Sequence, residues 1–433
     1  MKRSKYLVLF VALAFLLTAA FSGNVYSQDV DPEEEILLTF YYPVGVAGDL
    51  AAVVSNMTEE FNEKHDNITV QPVYSGDYDD TMQRVQTAVM GGDPPDLAVV
   101  EISEAHSLIQ MDATIPMTEF IEEEDEDFLD PYYEAFLANG NLYGEQWTMP
   151  FQRSTPVFYY NKDHFAEQAE ELEAEGLDPD RAPETWDELV EYAEVLTTED
   201  SWGLIIPGGW NDWIFEAFAY QNNAQLLNNE GTEAFFTDEK VVEAAEFWYD
   251  LAHEYEVMPA EVRTWAGSPT DFVGEASSML YNSTGALPPI FDGADFEVGV
   301  ALMPRNETFG AAVGGGDFHI FQDIPEENQE AAWEFIKFMT DPENAAHWSV
   351  ESGYVAVRED AYEVPELAEH VEENPARAVA RDQLEYAHPK MGAVGYQQIR
   401  EITTDYLDEL MEGNIGPEEA MESLQMEVEG ILR

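Results

Sequence analysis

The sequence predicts an α/β protein of two lobes facing one cleft, and three observations carry that prediction. Apolar strand-like and helix-like runs alternate along the chain, the pattern of an open parallel sheet covered by helices. The roughly 400 residues beyond the apolar N-terminal run are too many for one hydrophobic core. Short loops rich in polar and aromatic residues recur where strands end or helices begin, and open α/β sheets bind ligands at such edges.

Residues 36–42, ILLTFYY, read as the first strand, and Leu50, Val53, Val54 and Met57 give residues 50–61 helical spacing. A second strand is expected over 68–74, a helix near 78–90, and a short buried strand at 96–100 after the turn GGDPP. A strand restarts at 157–160. Thr185 and Glu188 form a capping-box pattern ahead of Leu189, Tyr192, Ala193 and Leu196. Further helices are expected over 240–255, through Ala332, Phe335, Ile336 and Met339, through Ile399, Ile402, Tyr406 and Leu410, and through Ala420, Leu424, Val428 and Ile431. No Pro-, Gly- or Ser-rich linker and no internal repeat divides the chain. The expected organisation is therefore two lobes joined by several crossings, with lobe 1 at 34–150 and 310–356 and lobe 2 at 151–309 and 357–433.

The N-terminus reads as a secretory signal over residues 1–27. Lys2, Arg3 and Lys5 precede an apolar stretch at 7–21 that gives way to small and polar residues. Fifteen apolar residues fall short of a span of about 20. An acidic leader follows at 29–35. The chain has 0 cysteines, so the expectation is an exported protein that is neither a lipoprotein nor disulfide-bonded.

The chain carries 89 acidic residues against 18 basic ones, a net charge of −71. A phosphate backbone needs a basic face, so nucleic-acid binding is excluded. Disorder would require a poor apolar content, yet 45% of residues are hydrophobic. Adaptation to a salty medium explains the charge, because molar salt shortens electrostatic range to about 3 Å. A cationic partner is the alternative.

Catalytic signatures are missing. There is no Gly-x-Ser-x-Gly, no cysteine nucleophile and no His-Glu-x-x-His among the 8 histidines. Gly314, Gly315 and Gly316 lack the Lys-Ser/Thr that follows in a nucleotide loop and suggest close backbone approach instead. The run EEEDED at 122–127 lacks calcium-loop spacing and reads as a solvated face. Carboxylates are so abundant that counting them neither supports nor excludes a glycosidase pair. No cofactor and no metal are expected.

The polar-aromatic segments are GDY at 76–78, Glu101 after its strand, PFQRSTPVFYYNKD at 150–163, WNDW at 210–213, NSTG at 282–285, the glycines at 314–316, SGYVAV at 352–357 and QQIR at 397–400. From Thr39 to the C-terminus the chain resembles the family-1 extracellular solute-binding proteins of ABC importers, most closely the glycerol-3-phosphate-binding branch. The segment PFQRSTPVFYYNKD matches the branch pattern PFxxSTPVxYYNKD, and TDPENAAHWSVESGYVAV at 340–357 resembles its helix and glycine-tyrosine segment.

The resemblance implies a type II periplasmic-binding-protein fold, two α/β lobes with a ligand cleft between them, and no catalysis. It implies ligand contacts at Tyr78, Glu101, Ser154, Ser283, Gly315, Tyr354 and Arg400, with Trp210 and Trp213 as a stacking wall. Arg400 would offer forked donors to phosphate or vicinal hydroxyls, the serines short hydroxyl donors, Gly315 backbone approach, and the aromatics an apolar face with a polar tip. A structural reading stands beside each: core packing for the aromatics, a cap or turn for Ser154, a salt bridge for Arg400. Arg153 and Ser154 alternate in a strand, so one of them should point away. The partners implied are a sugar or glycerol phosphate and the permease subunits of an importer, with a monomer expected outside the cytoplasm.

The chain also departs from that branch. It carries FYYP at 40–43 where glycerol-3-phosphate binders have a tryptophan-histidine-serine run, the loop before Arg400 differs, and Asp317 and His319 follow the glycines. An FYYPVGVAG start is closer to the neutral-sugar branch. Two rivals remain open: a secreted glycoside hydrolase, which would turn over an oligosaccharide, and a sensor subunit that presents its ligand to a receptor. The salt-adapted reading predicts that melting temperature rises from low to molar salt; a fall over that range in a thermal melt would rule it out.

Overall fold

A computed structural model describes residues 35–44 and 50–433. The signal-peptide reading of 1–27 and most of the acidic leader lie outside the described residues.

Among the described residues nine strands form the two larger sheets. They are β1 (Ile36–Tyr42), β2 (Ile68–Tyr74), β3 (Leu97–Glu101), β4 (Met149–Ser154), β5 (Pro156–Asn161), β6 (Trp202–Ile205), β7 (Ser277–Ser283), β8 (Val298–Ala301) and β9 (Gly314–Ile320). The first sheet runs β2-β1-β3-β9-β4 and the second β8-β5-β7-β6. β1 pairs parallel with β2 and β3, as the alternating pattern predicts. β9, however, runs antiparallel to both β3 and β4, so the sheet is mixed. The second sheet is mixed too, with only β6 and β7 parallel. The cause is connectivity: β9 follows β3 by more than two hundred residues and enters from the opposite end.

The helices that cover these sheets follow their apolar spacing. They include α1 (Leu50–Lys64), α2 (Tyr78–Gly91), α3 (Trp186–Leu196), α4 (Asn211–Gln221), α5 (Glu239–His253), α6 (Glu326–Met339), α7 (Pro342–Ser352), α8 (Tyr396–Met411) and α9 (Pro417–Ile431). Leu189, Tyr192, Ala193 and Leu196 are buried as their period requires, as are Ala332, Phe335, Ile336 and Met339. Only half of the expected capping box forms. Thr185 accepts from the Glu188 N–H at 3.2 Å, but the Glu188 carboxylate turns to the Glu184 N–H and the Arg181 guanidinium. The Arg181 fork engages both carboxylate oxygens and turns them toward Glu184 rather than Thr185. The acidic run at 122–127 is largely exposed, with Glu124 paired to Lys337.

The two sheets meet along a short stretch of chain. Thr155 alone separates β4, in the first sheet, from β5, in the second. Ser154 lies opposite Gly314 of β9, and Pro156 lies opposite Ser283 of β7. Four strand ends therefore converge at this junction. The approach of β9 to β4 is unusually close: Gly315 has φ +106°, and a Cβ there would sit 1.6 Å from the Gln152 carbonyl oxygen. Only glycine fits. Gly315→Ala should therefore destabilise the fold by about 3 kcal/mol in urea titrations. Gly176→Ala, at φ +86° with open space around it, should cost about 1 kcal/mol; equal losses would contradict the packing account.

Candidate functional site

A half-open cleft of about 400 Å³, counted with the open solvent at its mouth, lies at this junction. Tyr78, Glu101, Ser154, Trp210, Trp213, Ser283, Gly315 and Tyr354 all line it. These are eight of the nine residues that the sequence singles out, and they come from segments scattered between residues 78 and 354. The ninth, Arg400, does not line it. Its guanidinium lies 4.3 Å over the Trp210 ring and pairs with Asp79 at 2.5 Å, so it backs the wall.

Each lining residue is placed by its element. Tyr78 opens α2, whose cap Asp77 accepts from the Asp80 N–H. Its hydroxyl donates to Gln152 Oε1 at 3.0 Å and lies 3.4 Å from the Tyr354 hydroxyl. Tyr354 follows α7 and stacks on Trp348. Glu101 ends β3, and its carboxylate accepts from the Ser103 N–H at 2.8 Å. Ser283 ends β7 and caps the next turn by accepting from the Gly285 N–H. Trp213, in the first turn of α4, donates through Nε1 to the Ala312 and Val313 carbonyls. Its ring fits because a Cβ at Gly314 would lie 2.5 Å from it. Trp213 is thus both packed and cavity-lining. Ser154 faces the cavity, whereas Arg153 is fully buried on the other side, paired with Asp317 at 3.2 Å and donating to the Phe136 carbonyl. The strand alternation places them so.

Gly314, from the glycine segment that the sequence marks, also lines the cavity, and sequence reasoning missed Trp265 and above all Lys390, which line it too. The Lys390 ammonium is 3.0 Å from Glu101 and lies near the rings of Trp210 (4.9 Å), Tyr396 (5.2 Å) and Trp213 (5.9 Å). Its main chain is fixed on both sides. Asn139 exchanges two hydrogen bonds with Lys390, Tyr220 donates to the Pro389 carbonyl, and Glu216 accepts from the Met391 N–H. One signal was available: PKMG is a lone cation between apolar and turn residues in a chain with only 18 basic ones.

The surroundings are rich in buried acid. Burial raises Glu104 to about 7, helped by the Glu101 charge. Burial raises Glu216 to about 8, against the pull of Lys390 and the Met391 N–H. Burial likewise raises the Tyr354 phenol to about 12, so it remains a donor. Burial opposes the charge on Arg400, but Asp212, Tyr396 and Asp79 outweigh it and its pKa rises. Among the described residues no cluster of three or more His, Asp or Glu is arranged to hold a metal ion, and no helix is long and apolar enough to cross a membrane.

Comparison with known proteins places the chain. The profile of the bacterial extracellular solute-binding proteins matches residues 56–379. The sn-glycerol-3-phosphate-binding periplasmic protein UgpB of Pectobacterium atrosepticum is 27% identical over 413 residues, 89% of this chain and 89% of that protein. UgpB of Escherichia coli K12 is 26% identical over 439 residues, 96% of this chain and 95% of that protein. Among solved structures, UgpB of Mycobacterium tuberculosis in complex with glycerophosphocholine superposes with a TM-score of 0.80 at 22% identity, covering 90% of this chain and 98% of that one. An ABC transporter solute-binding protein of Thermotoga lettingae bound with α-D-tagatose gives 0.77 at 21% identity, covering 92% and 100%. At such identities the structures share the fold.

The raised carboxyls make stability depend on pH. Glu216 ordinarily ionises at 4.5 and holds its proton to about 8 in the folded state. Its contribution is full below 4.5 and is lost as pH climbs through 8. Glu216→Gln keeps an acceptor for Met391 and Tyr220 but cannot ionise, so its melting temperature should fall less between pH 5 and pH 8 than the wild type's. Parallel pH profiles would count against this.

Proposed function

The chain belongs to the bacterial extracellular solute-binding proteins, and from that premise we propose that it captures a small sugar or polyol, phosphorylated or not, and hands it to an ABC importer. Its fold is that of the type II periplasmic binding proteins. In this reading lobe 1 comprises 34–150 with 310–356 and lobe 2 comprises 151–309 with 357–433, and Thr155 serves as one crossing. Ligand bridges the lobes and stabilises the closed state that the membrane subunits recognise. No bond is made or broken. The protein acts outside the cytoplasm, as a monomer.

The observation that carries this reading is the convergence of Tyr78, Glu101, Ser154, Trp210, Trp213, Ser283, Gly315 and Tyr354 on one cavity. Two serine hydroxyls, two phenols and a carboxylate suit a ligand rich in hydroxyls, and three tryptophans suit its apolar faces. The names of the relatives, glycerol-3-phosphate binders and sugar binders, agree with that chemistry.

The test is a thermal-shift and calorimetric screen with mono- to trisaccharides, glycerol phosphates and glycerophosphodiesters. A true ligand at 100 times its dissociation constant stabilises by about 2.7 kcal/mol and is recovered unchanged. Turnover of an oligosaccharide would replace the binding reading with the hydrolase. Arg400→Ala removes the cation behind Trp210 and should weaken binding at least tenfold, about 1.4 kcal/mol, with the fold intact by circular dichroism; unchanged affinity would show that Arg400 does not support the Trp210 wall.

A further inference from the structure

We infer that Lys390 is a specificity-determining residue, and that the Lys390–Glu101 pair selects an uncharged polyhydroxyl ligand over a phosphorylated one. The inference rests on the binding reading above and narrows its ligand class.

The first argument is a charge inventory. Among the described residues the buried lysine and arginine side chains are Arg153, Lys390 and Arg400: Lys390 lines the cavity, Arg400 lies behind Trp210, and Arg153 is on the far side of the strand that carries Ser154. Each already has an acidic partner: Asp317 for Arg153, Glu101 for Lys390 and Asp79 for Arg400. Asp212, Glu104 and Glu216 add three more buried carboxyl groups, and none of them has an ion-pair partner among the described residues. A phosphate entering here would find no uncommitted cation. It would either break a buried pair, stranding a carboxylate, or lie beside one. Both outcomes cost most at the Lys390–Glu101 pair, whose two side chains are buried.

The second argument is what the pair does offer. A sugar or polyol presents neighbouring hydroxyls that each donate and accept. Glu101 accepts and Lys390 donates from positions 3.0 Å apart. Such a pair can meet two adjacent hydroxyls without net charge transfer. The ammonium is not free to wander. Asn139, Tyr220 and Glu216 hold the main chain around it, and Trp210, Trp213 and Tyr396 surround its head. The same indoles, with Trp265, provide apolar walls for ring C–H faces.

The experiment is isothermal titration of the intact mature protein with two sets of probes. The neutral set is glycerol, D-glucose, D-tagatose, trehalose and maltose; the phosphate set is sn-glycerol 3-phosphate and glycerophosphocholine. The wild type should bind at least one neutral probe and bind every phosphate probe at least a hundredfold more weakly. Glu101→Gln keeps the side-chain shape but releases Lys390, so the ratio of phosphate to neutral affinity should rise at least tenfold. Lys390→Met should weaken the neutral probe at least tenfold without creating phosphate binding, with folding checked by thermal melts. A wild type that prefers sn-glycerol 3-phosphate, or an affinity ratio unmoved by Glu101→Gln, would overturn the inference while leaving the transport reading standing. Saturable binding of neither set would overturn both.

Discussion

The site depends on how closely the start of β9 approaches β4. At Gly315 the backbone leaves no room for a Cβ beside the Gln152 carbonyl, and at Gly314 the Trp213 ring occupies the space a side chain would fill. That closeness sets Ser154 beside the glycines and brings the β5–β7 pair, ending in Ser283, to the same place. A wider approach would separate the two sheets and disperse the cavity lining.

A second constraint acts on charge. The chain is overwhelmingly acidic, with 89 acids to 18 bases, yet buried Lys390 lines the cavity and buried Arg400 lies behind Trp210. Screening is ineffective there, so those few cations have effects out of proportion to their number. Lys390 and Arg400 each pair with an acid far away in sequence, 289 and 321 residues distant. Both pairs connect the glycine- and tyrosine-bearing first sheet region to the C-terminal segment. Surface repulsion would tend to separate acidic halves, and these pairs oppose it locally.

Much of this was legible in the sequence, for physical reasons. The strands at 36–42 and 68–74 and the helix face of 186–196 are local patterns, in which burial period alone fixes the element. The antiparallel entry of β9 was not legible, because no local pattern records which edge a strand joins so far downstream. Ser154, Ser283, Tyr78 and Tyr354, which line the cavity, stand out in the sequence because they sit in short motifs between strongly patterned elements. Lys390 was not, because its neighbours AHP and MGAV carry no period, and its role depends on distant partners, Asn139, Glu101 and Glu216. Arg400 shows the other limit of a local reading: a forked cation near a site reads as a ligand contact, and its pairing with Asp79 and the Trp210 face is recorded by no local pattern.

Trp210 stands in an uncommon electrostatic position. Arg400 lies 4.3 Å from its ring centre and Lys390 4.9 Å, and the edge of Tyr78 meets it at 6.2 Å. Two positive charges close to one indole perturb its excited state, whose dipole differs from that of the ground state. Any event that shifts Lys390 or moves the α2 end away from α4 therefore changes the colour and yield of this residue's emission. Trp210 touches both cations and Tyr78, so its emission reports how these groups are arranged.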